Sequence, residues 1–436
     1  MNIQLILIRP FGLLYLLFTG LAFGQDSNTV QLEPLIKEAL LNNPGLASIQ
    51  FEAEAAQHQI APAGAYEDPI FGFEAMSYPR DTLSSREFGM TGNRMSLTQA
   101  IPFPGKKTQL QKVATEMYES KHFRYQSARL ELIRVLKLTY FDLYFAYKTR
   151  DILMEQQGVV RQLIPIARSR YTLGKISQAA VLGLQVEEAD LLDQMLKSDR
   201  EIAVNVGNLN HILGREQHHA LGGKPILPSK TKLNFEKITE ERITKAVLKK
   251  SPNLNSYNSE VESSKAQLSY AKLNYFPNFE FNAAYTQRNP NPGDRGVDFV
   301  SAGIGISLPI WAINKQSKEI KAARAEQSRA QATLQEERLH QRHLVHTLYA
   351  ELEEAAKRVK LYSGGLLPLA QQSVTSAQSA FLTGQFEYAS LLDLIRKRFG
   401  VELAFAKALT QYESKIVELE ALSGVSLEEL ENDSSK

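Results

Sequence analysis

Four short segments of the chain alternate apolar residues with small or polar ones at a period of two, the pattern of a β-strand with two different faces. In the fourth segment, the apolar positions are Val300, Ala302, Ile304, Ile306, Leu308 and Ile310. Small residues lie between them at Ser301, Gly303, Gly305 and Ser307. The other segments repeat the pattern at Phe71, Phe73 and Ala75, at Met95, Leu97, Ile101 and Phe103, and at Phe279, Phe281, Ala283 and Tyr285. We therefore predict four strands, each with one apolar face.

Two long stretches that follow the strand pairs predict helices of unusual length. Residues 105–172 and 314–382 would each form about 100 Å of helix at 1.5 Å per residue. Each stretch then reverses at a glycine, Gly174 or Gly384, which supplies the left-handed turn conformation. Shorter helices return from these two turns. Helices of this length are typical of coiled coils or tubes rather than of compact domains.

The same order of elements occurs twice along the chain. Asn43-Pro44-Gly45-Leu46, at a predicted helix start, matches Ser251-Pro252-Asn253-Leu254 roughly 208 positions later, and similar offsets relate the strands and the turns. We assign the chain to a first repeat at 25–214, a connector at 215–238, a second repeat at 239–424 and an acidic C-terminal tail at 425–436.

The first 24 residues have the pattern of a secretory signal peptide. Arg9 precedes an apolar stretch from Phe11 to Phe23, and small residues before Gln25 suit cleavage after Gly24. The alternative is an N-terminal membrane anchor, but about 13 apolar residues are too few to span a bilayer. We therefore expect a secreted protein.

Composition narrows the function classes. The chain has 50 Lys and Arg against 48 Asp and Glu, which gives no clustered basic character for a nucleic-acid partner. It has no cysteine, which excludes disulfides, thiolate metal sites and a lipid-modified N-terminal cysteine. The sequence contains no nucleophile with a base at useful spacing and no phosphate-binding glycine loop, so we predict no enzyme activity, no cofactor and no metal site.

Four strands with one apolar face cannot close a membrane barrel alone, because such barrels begin at eight strands. An open sheet in lipid would leave unpaired backbone groups at its edges. Oligomerisation removes this problem: two chains would supply eight strands, and three would supply twelve. The alternative is a soluble β-sandwich attached to coiled-coil hairpins.

The duplicated Asn/Ser-Pro-x-Leu helix, the strand pairs that end in Ile/Leu-Pro-Phe/Ile and the long helices that reverse at Tyr/Phe-x-x-Gly resemble the TolC-like outer-membrane efflux proteins. The resemblance covers residues 30–424. Within the family, the chain is somewhat similar to the heavy-metal CzcC/CusC-like branch. It implies a mainly α fold with a small β part. Long antiparallel helical hairpins would form a periplasmic α-barrel, and three chains would share a twelve-stranded transmembrane β-barrel.

The resemblance also implies a function and partners. The protein would be a homotrimer in the outer membrane of a Gram-negative bacterium, in contact with outer-membrane lipid and extending into the periplasm. It would serve a tripartite efflux or type I secretion-like system as a passive exit duct, receiving substrate from a periplasmic adaptor and an inner-membrane pump. The competing interpretation is a soluble periplasmic coiled-coil adaptor or scaffold.

By position, the resemblance places the closed periplasmic entrance and the adaptor contact at the two hairpin tips. The tip residues are Thr172, Leu173, Gly174, Lys175, Thr383, Gly384, Gln385 and Phe386. Related channels carry a gate aspartate at the position of Asp393, and a three-fold ring of carboxylates can bind cations in a pore. The alternative is that Asp393 pairs with Lys397, its i+4 neighbour. The first repeat has Gly183 at the corresponding position.

Three histidines, His340, His343 and His346, share one long helix and suggest a metal site. Steps of three spread the rings over about 120° of the helix surface, whereas zinc sites on helices favour i, i+4 pairs. We therefore interpret these residues as a solvated helix face.

Overall fold

The computed structural model describes residues 29–227, 231–235 and 237–432, so the predicted signal peptide at 1–24 lies outside the described residues. The described chain is mainly helical, as the sequence predicts, and carries one four-stranded sheet.

The first half of the chain begins with a two-residue strand and continues with helices, two strands and a long helical hairpin. Its elements are β1 (Thr29–Val30), α1 (Leu32–Asn42), α2 (Pro44–His58), α3 (Ile60–Gly64), β2 (Ile70–Met76), β3 (Gly92–Ile101), α4 (Lys106–Thr172) and α5 (Gln178–Leu213).

The second half repeats this order after a short strand that pairs with β1. Its elements are β4 (Lys224–Pro225), α6 (Glu240–Lys250), α7 (Pro252–Leu273), β5 (Phe279–Arg288), β6 (Phe299–Ile306), α8 (Gln316–Leu361), α9 (Leu367–Thr383), α10 (Tyr388–Ser423) and α11 (Leu427–Asn432). Among the described residues, no helix combines the length and apolar character needed to cross a membrane.

Proline and glycine account for the differences from the predicted bounds. The helix that starts at Pro44 breaks at Gln59, because Pro62 lacks an N–H and its ring would clash with the carbonyl three to four residues earlier. Residues 362–366 form a π-helical turn between α8 and α9, at the Gly364-Gly365 pair. Two strands end early: β3 stops before Pro102, and β6 stops before Pro309, so Phe103, Leu308 and Ile310 lie beyond the strands.

The sheet joins the two halves of the chain. Its order is β2-β3-β5-β6 with every neighbouring pair antiparallel, and the central pair runs from Ile101 opposite Phe279 to Gly92 opposite Arg288. The outer edges of β2 and β6 have no strand partner within the described residues. Large apolar side chains such as Phe71 and Ile304 are exposed on this sheet.

Asn43 joins the end of one helix to the start of another. Its side-chain oxygen accepts a hydrogen bond from the backbone N–H of Leu46 at 2.9 Å, which caps α2. Its side-chain nitrogen donates to the carbonyl of Ile212 at 2.9 Å, near the C-terminus of α5. Helix α5 therefore stacks end to end on α2.

The helices of each half pack through apolar side chains that face one another. Leu136, Tyr140 and Leu209 belong to a cluster formed by α1, α4 and α5. Val345, Leu352 and Ile416 belong to a second cluster between α8 and α10. A third cluster lies near the hairpin turns and is described with them below.

Gly214 ends α5 at φ +70°, and a Cβ there would lie 2.6 Å from the carbonyl oxygen of Asn42. Gly424 ends α10 at φ +72°, but a Cβ there would meet no atom closer than 3.5 Å. We expect Gly424→Ala to cost about 1 kcal/mol, the strain of the left-handed conformation alone. Gly214→Ala should cost more, because the added methyl group also forces the helix joint apart.

The measurement is chemical denaturation of the detergent-solubilised protein, followed by circular dichroism. Equal losses of stability in the two variants would contradict the close approach of α5 and α2 at this joint.

Candidate functional site

The two hairpin turns have the same backbone geometry. Gly174 has φ +69° and Gly384 has φ +82°, and each turn closes with two backbone hydrogen bonds of 2.9 to 3.0 Å onto the last turn of the preceding helix. A Cβ at either glycine would meet nothing within 4 Å. The positive φ, and not a lack of space, is therefore the reason for glycine at both tips.

Four helices pack around one apolar cluster next to the turns, which we call the tip core. It contains buried side chains from α4, α5, α9 and α10, among them Val160, Leu184, Phe381, Ile395 and Phe399. Phe386, one of the predicted tip residues, packs against its edge. The two hairpins of one chain are thus held side by side up to their turns.

Arg170 ties the first tip to the second. Its guanidinium donates hydrogen bonds to the carbonyls of Phe381 at 2.7 Å and Leu382 at 3.0 Å, at the C-terminal end of α9. The same group lies over the ring of Phe381 at 4.3 Å. Cations stabilise helix C-termini, and this one acts on a helix of the other hairpin. The sequence analysis missed this role, since an arginine in the last turn of α4 signals only a cap of its own helix.

A buried ion pair ties the returning helices together. Glu187 on α5 is only 4% exposed, and Arg396 on α10 donates from Nε to its carboxylate at 2.9 Å and also from Nη2. Gln156 on α4 donates to the other carboxylate oxygen at 3.3 Å. The two residues occupy nearly equivalent positions in the two repeats, but the duplication does not show that equivalent positions contact each other, so the pair could not be predicted from the sequence.

Tyr388 lies beside this ion pair. Burial, together with the nearby carboxylate of Glu187, raises the pKa of Tyr388 to about 12. Its hydroxyl is buried and has no hydrogen-bond partner among the described residues. The phenol therefore stays neutral over the physiological pH range and adds no charge beside Glu187 and Arg396.

The predicted gate residue, Asp393, lies on the exposed side of α10. Its carboxylate is 2.7 Å from the Nζ of Lys397, and the two side chains are 58% and 67% exposed. The i+4 pair that the sequence offered as an alternative is therefore present. A role for Asp393 in a ring of carboxylates depends on other copies of the chain and stays a prediction.

The remaining tip residues are mostly exposed. Thr172, Lys175, Thr383 and Gln385 face solvent, and Leu173 is 67% exposed. Leu382, which the sequence analysis did not select, is 64% exposed beside the second turn. The two tips together present apolar side chains that a single chain does not cover.

The histidines of α8 do not converge. His340, His343 and His346 are exposed, and His346 contacts the carboxylate of Glu240 at 3.1 Å. Across residues 29–227, 231–235 and 237–432, no group of three or more potential ligands is placed to hold a metal ion.

With this geometry in place, comparison with known proteins identifies the chain. The model of the outer membrane efflux protein family matches it twice, over residues 35–215 and 243–425. The chain belongs to this family. It is therefore an outer-membrane efflux channel whose body extends into the periplasm, and the soluble scaffold interpretation is not favoured.

Solved structures share the fold at low sequence identity. The outer-membrane channel OprN has a TM-score of 0.76 and 15% identity, covering 90% of this chain and 89% of its own. CusC has a TM-score of 0.75 and 15% identity, covering 93% and 96%. VceC from Vibrio cholerae has a TM-score of 0.75 and 16% identity, covering 91% and 96%. No protein among the curated sequences matches the chain significantly.

The ion pair of Glu187 and Arg396 allows a test of whether polar contacts hold the two hairpins together. Arg396→Ala would leave the carboxylate of Glu187 buried without its counter-charge, and we expect a loss of about 2 kcal/mol, below the full cost of a buried pair because Arg396 is itself half exposed. Lys397→Ala, the neighbouring control, removes only an exposed pair and should cost less than about 0.5 kcal/mol.

The measurements are chemical denaturation and amide hydrogen exchange of α5 and α10. The double variant Glu187→Gln/Arg396→Ala should lose less stability than the sum of its single variants, since the two groups interact. Equal losses in Arg396→Ala and Lys397→Ala would show that the pair does not hold the hairpins together.

Proposed function

We propose that three copies of this chain form one efflux duct, with a shared β-barrel of twelve strands in the outer membrane and a helical tunnel below it. The observation that carries this proposal is the open sheet, in which β2 and β6 expose their edges and their apolar side chains. A lipid environment has no water to satisfy such edges, so a membrane sheet must close.

The strand order suits closure by identical copies. Because all neighbours in β2-β3-β5-β6 are antiparallel, β6 runs opposite to β2. Pairing β6 of one copy with β2 of the next would therefore continue the antiparallel pattern around a ring. Three copies give an even number of strands within the range of outer-membrane barrels.

A stripe on α5 supports contact between copies in the helical part. Leu182, Val186, Leu192, Leu196 and Val204 recur along one side of the helix and are 44% to 69% exposed. Exposed apolar residues that recur along one side of a helix are typical of an interaction site. We infer that the α5 stripe packs against the neighbouring copy in the tunnel wall.

We further propose that substrate passes through the duct by diffusion, delivered by a periplasmic adaptor and an inner-membrane pump. The tips, residues 172–175 and 383–386, would contact the adaptor. Leu173 in the first tip and Leu382, directly before the second, are exposed and offer apolar contact area. The division into repeats at 25–214 and 239–424, joined by a connector and followed by an acidic tail, fits this design as two hairpin units per chain.

Assembly can be tested by cell fractionation and by gel migration before and after heating. We expect the mature chain in the outer-membrane fraction, migrating as a trimer until it is heated. Leu196→Asp should weaken the trimer, because it places a charge on the α5 stripe. Lys197→Asp, at the next exposed position, is the matched control and should leave the trimer intact.

A monomeric chain in the soluble periplasmic fraction would overturn the channel proposal. A trimer that tolerates Leu196→Asp as well as Lys197→Asp would instead remove α5 from the interface.

The gate role of Asp393 can be tested separately in planar bilayers. If three carboxylates form a ring, Asp393→Asn should raise single-channel conductance or reduce block by divalent cations, since it removes the negative charge that binds them. Lys397→Gln breaks the same i+4 pair but keeps the carboxylate, so it should not reduce cation block. The gate assignment fails if the two variants behave alike or if neither differs from the native channel.

A further inference from the structure

A polar cavity lies where the sheet meets the helices. It has a volume of about 330 Å³ and is lined by the segment between β6 and α8, the segment between α7 and β5, and the first residue of α4. The residues that line it include Lys106, Ser307, Trp311, Lys315, Gln316 and Glu319. None of them takes part in the tip site described above.

Lys106 is an unusual side chain for this position. It is 5% exposed, and its ammonium donates to the carbonyl of Phe276 at 3.1 Å and to the side-chain oxygen of Asn278 at 2.7 Å. An ammonium has three donors, so one remains. No carboxylate of the described residues lies within the 4.0 Å limit of an ion pair with Lys106. Buried lysines are rare without an anionic partner in direct contact, and the carboxylate of Glu319 acts on Lys106 only from beyond ion-pair distance.

A second cation and further polar groups line the same cavity. Lys315 contributes an exposed ammonium, and Ser307 contributes a hydroxyl. Gln316 is 9% exposed, and its side-chain oxygen is buried without a hydrogen-bond partner among the described residues. A carboxamide can present either its oxygen or its amide group to a ligand. Glu319 adds one negative charge, so the wall keeps a net charge of about +1 with its two lysines.

The cavity lies at the level where a membrane surface would meet the protein. Strands β3 and β6 end, and β5 begins, within a few residues of its wall. Leu308, Ile310, Trp311 and Ile313, which follow β6, are each more than two-thirds exposed. Exposed tryptophan and aliphatic residues beside a membrane-facing sheet are typical of the interface between acyl chains and headgroups.

We infer that this cavity binds the phosphate group of a membrane phospholipid, with Lys106 and Lys315 as its cationic partners. The acyl chains would lie along the apolar segment from Leu308 to Ile313. This inference rests on the proposed function, because a phospholipid reaches the cavity only when the sheet is in the membrane. A phospholipid in this cavity would place an anion in direct contact with Lys106 and would fix the height of the duct in the bilayer.

The only tryptophan of the chain, Trp311, lines the cavity and reports on its occupant. The experiment titrates the detergent-solubilised full chain with dioctanoyl phosphatidylglycerol and follows tryptophan fluorescence. Parallel titrations use inorganic phosphate and dioctanoylglycerol, which has the same acyl chains and no phosphate. We expect a saturable change with the phospholipid and a weak one, or none, with either control compound.

The decisive variant is Lys315→Gln, because Lys315 is exposed and its replacement leaves the fold intact. Its apparent affinity for the phospholipid should fall about fivefold. Lys318→Gln, an exposed lysine outside the cavity, is the matched control and should bind as the native chain does. Lys106→Gln should bind more weakly still, although it also removes the bond to Phe276.

Equal affinities in Lys315→Gln and Lys318→Gln would overturn the inference, as would an equal response to dioctanoylglycerol or no saturable response at all. Binding of inorganic phosphate as tight as that of the phospholipid would make this a free-anion site and would also overturn it. Conductance of the same preparation in planar bilayers distinguishes failure of the lipid site from failure of the proposed function. A conducting trimer without a lipid response removes the lipid site alone, whereas a preparation that neither conducts nor assembles removes the proposed function.

Discussion

The unpaired edges of β2 and β6 are the constraint on which the rest of this structure depends. Each edge presents backbone N–H and C=O groups that lipid cannot satisfy, at several kcal/mol per unsatisfied group. The four strands of one chain are too few to close on themselves. We therefore propose that the sheet pairs with copies of itself and that the helices leaving it follow the same symmetry.

The contacts at the ends of the helices connect the helical body to the sheet and to itself. The central pair of strands, β3 and β5, comes from different halves of the chain, so both hairpins start from one base. Opposite each long helix, two shorter ones stack end to end, and at one of these joints Asn43 bonds to both helices. A hydrogen-bonded joint of this kind lets two short helices match the length of one long helix without a continuous backbone.

At the far end, polar contacts join the hairpins within one chain. Arg170 binds the carbonyls that end α9, and Arg396 binds the buried Glu187. Both contacts cross from one repeat to the other and flank the tip core. We expect the two hairpins of a chain to move as one body, so that widening of the entrance takes place between copies. The exposed pair of Asp393 and Lys397 takes no part in these contacts between the hairpins.

Local patterns in the sequence were enough to predict the elements and their order. Period-two alternation marks strands, glycine marks the turns at Gly174 and Gly384, and the duplication predicts two equivalent hairpins. These features are encoded by neighbours along the chain, and the structure contains them. The differences fell at proline and glycine: the strands before Pro102 and Pro309 end early, and a turn at Gly364-Gly365 interrupts the helix predicted over 314–382.

What only the tertiary structure decided is which distant side chains meet. The bond from Arg170 to Phe381, the pair of Glu187 and Arg396, and the cavity beside Lys106 each join residues from different repeats. The duplication relates some of these positions, but it does not predict that they meet, because their distances in space are set by how the helices pack. The sequence by itself determined the types of element and their order, and packing alone placed the charges that hold the tips together and line the cavity beside Lys106.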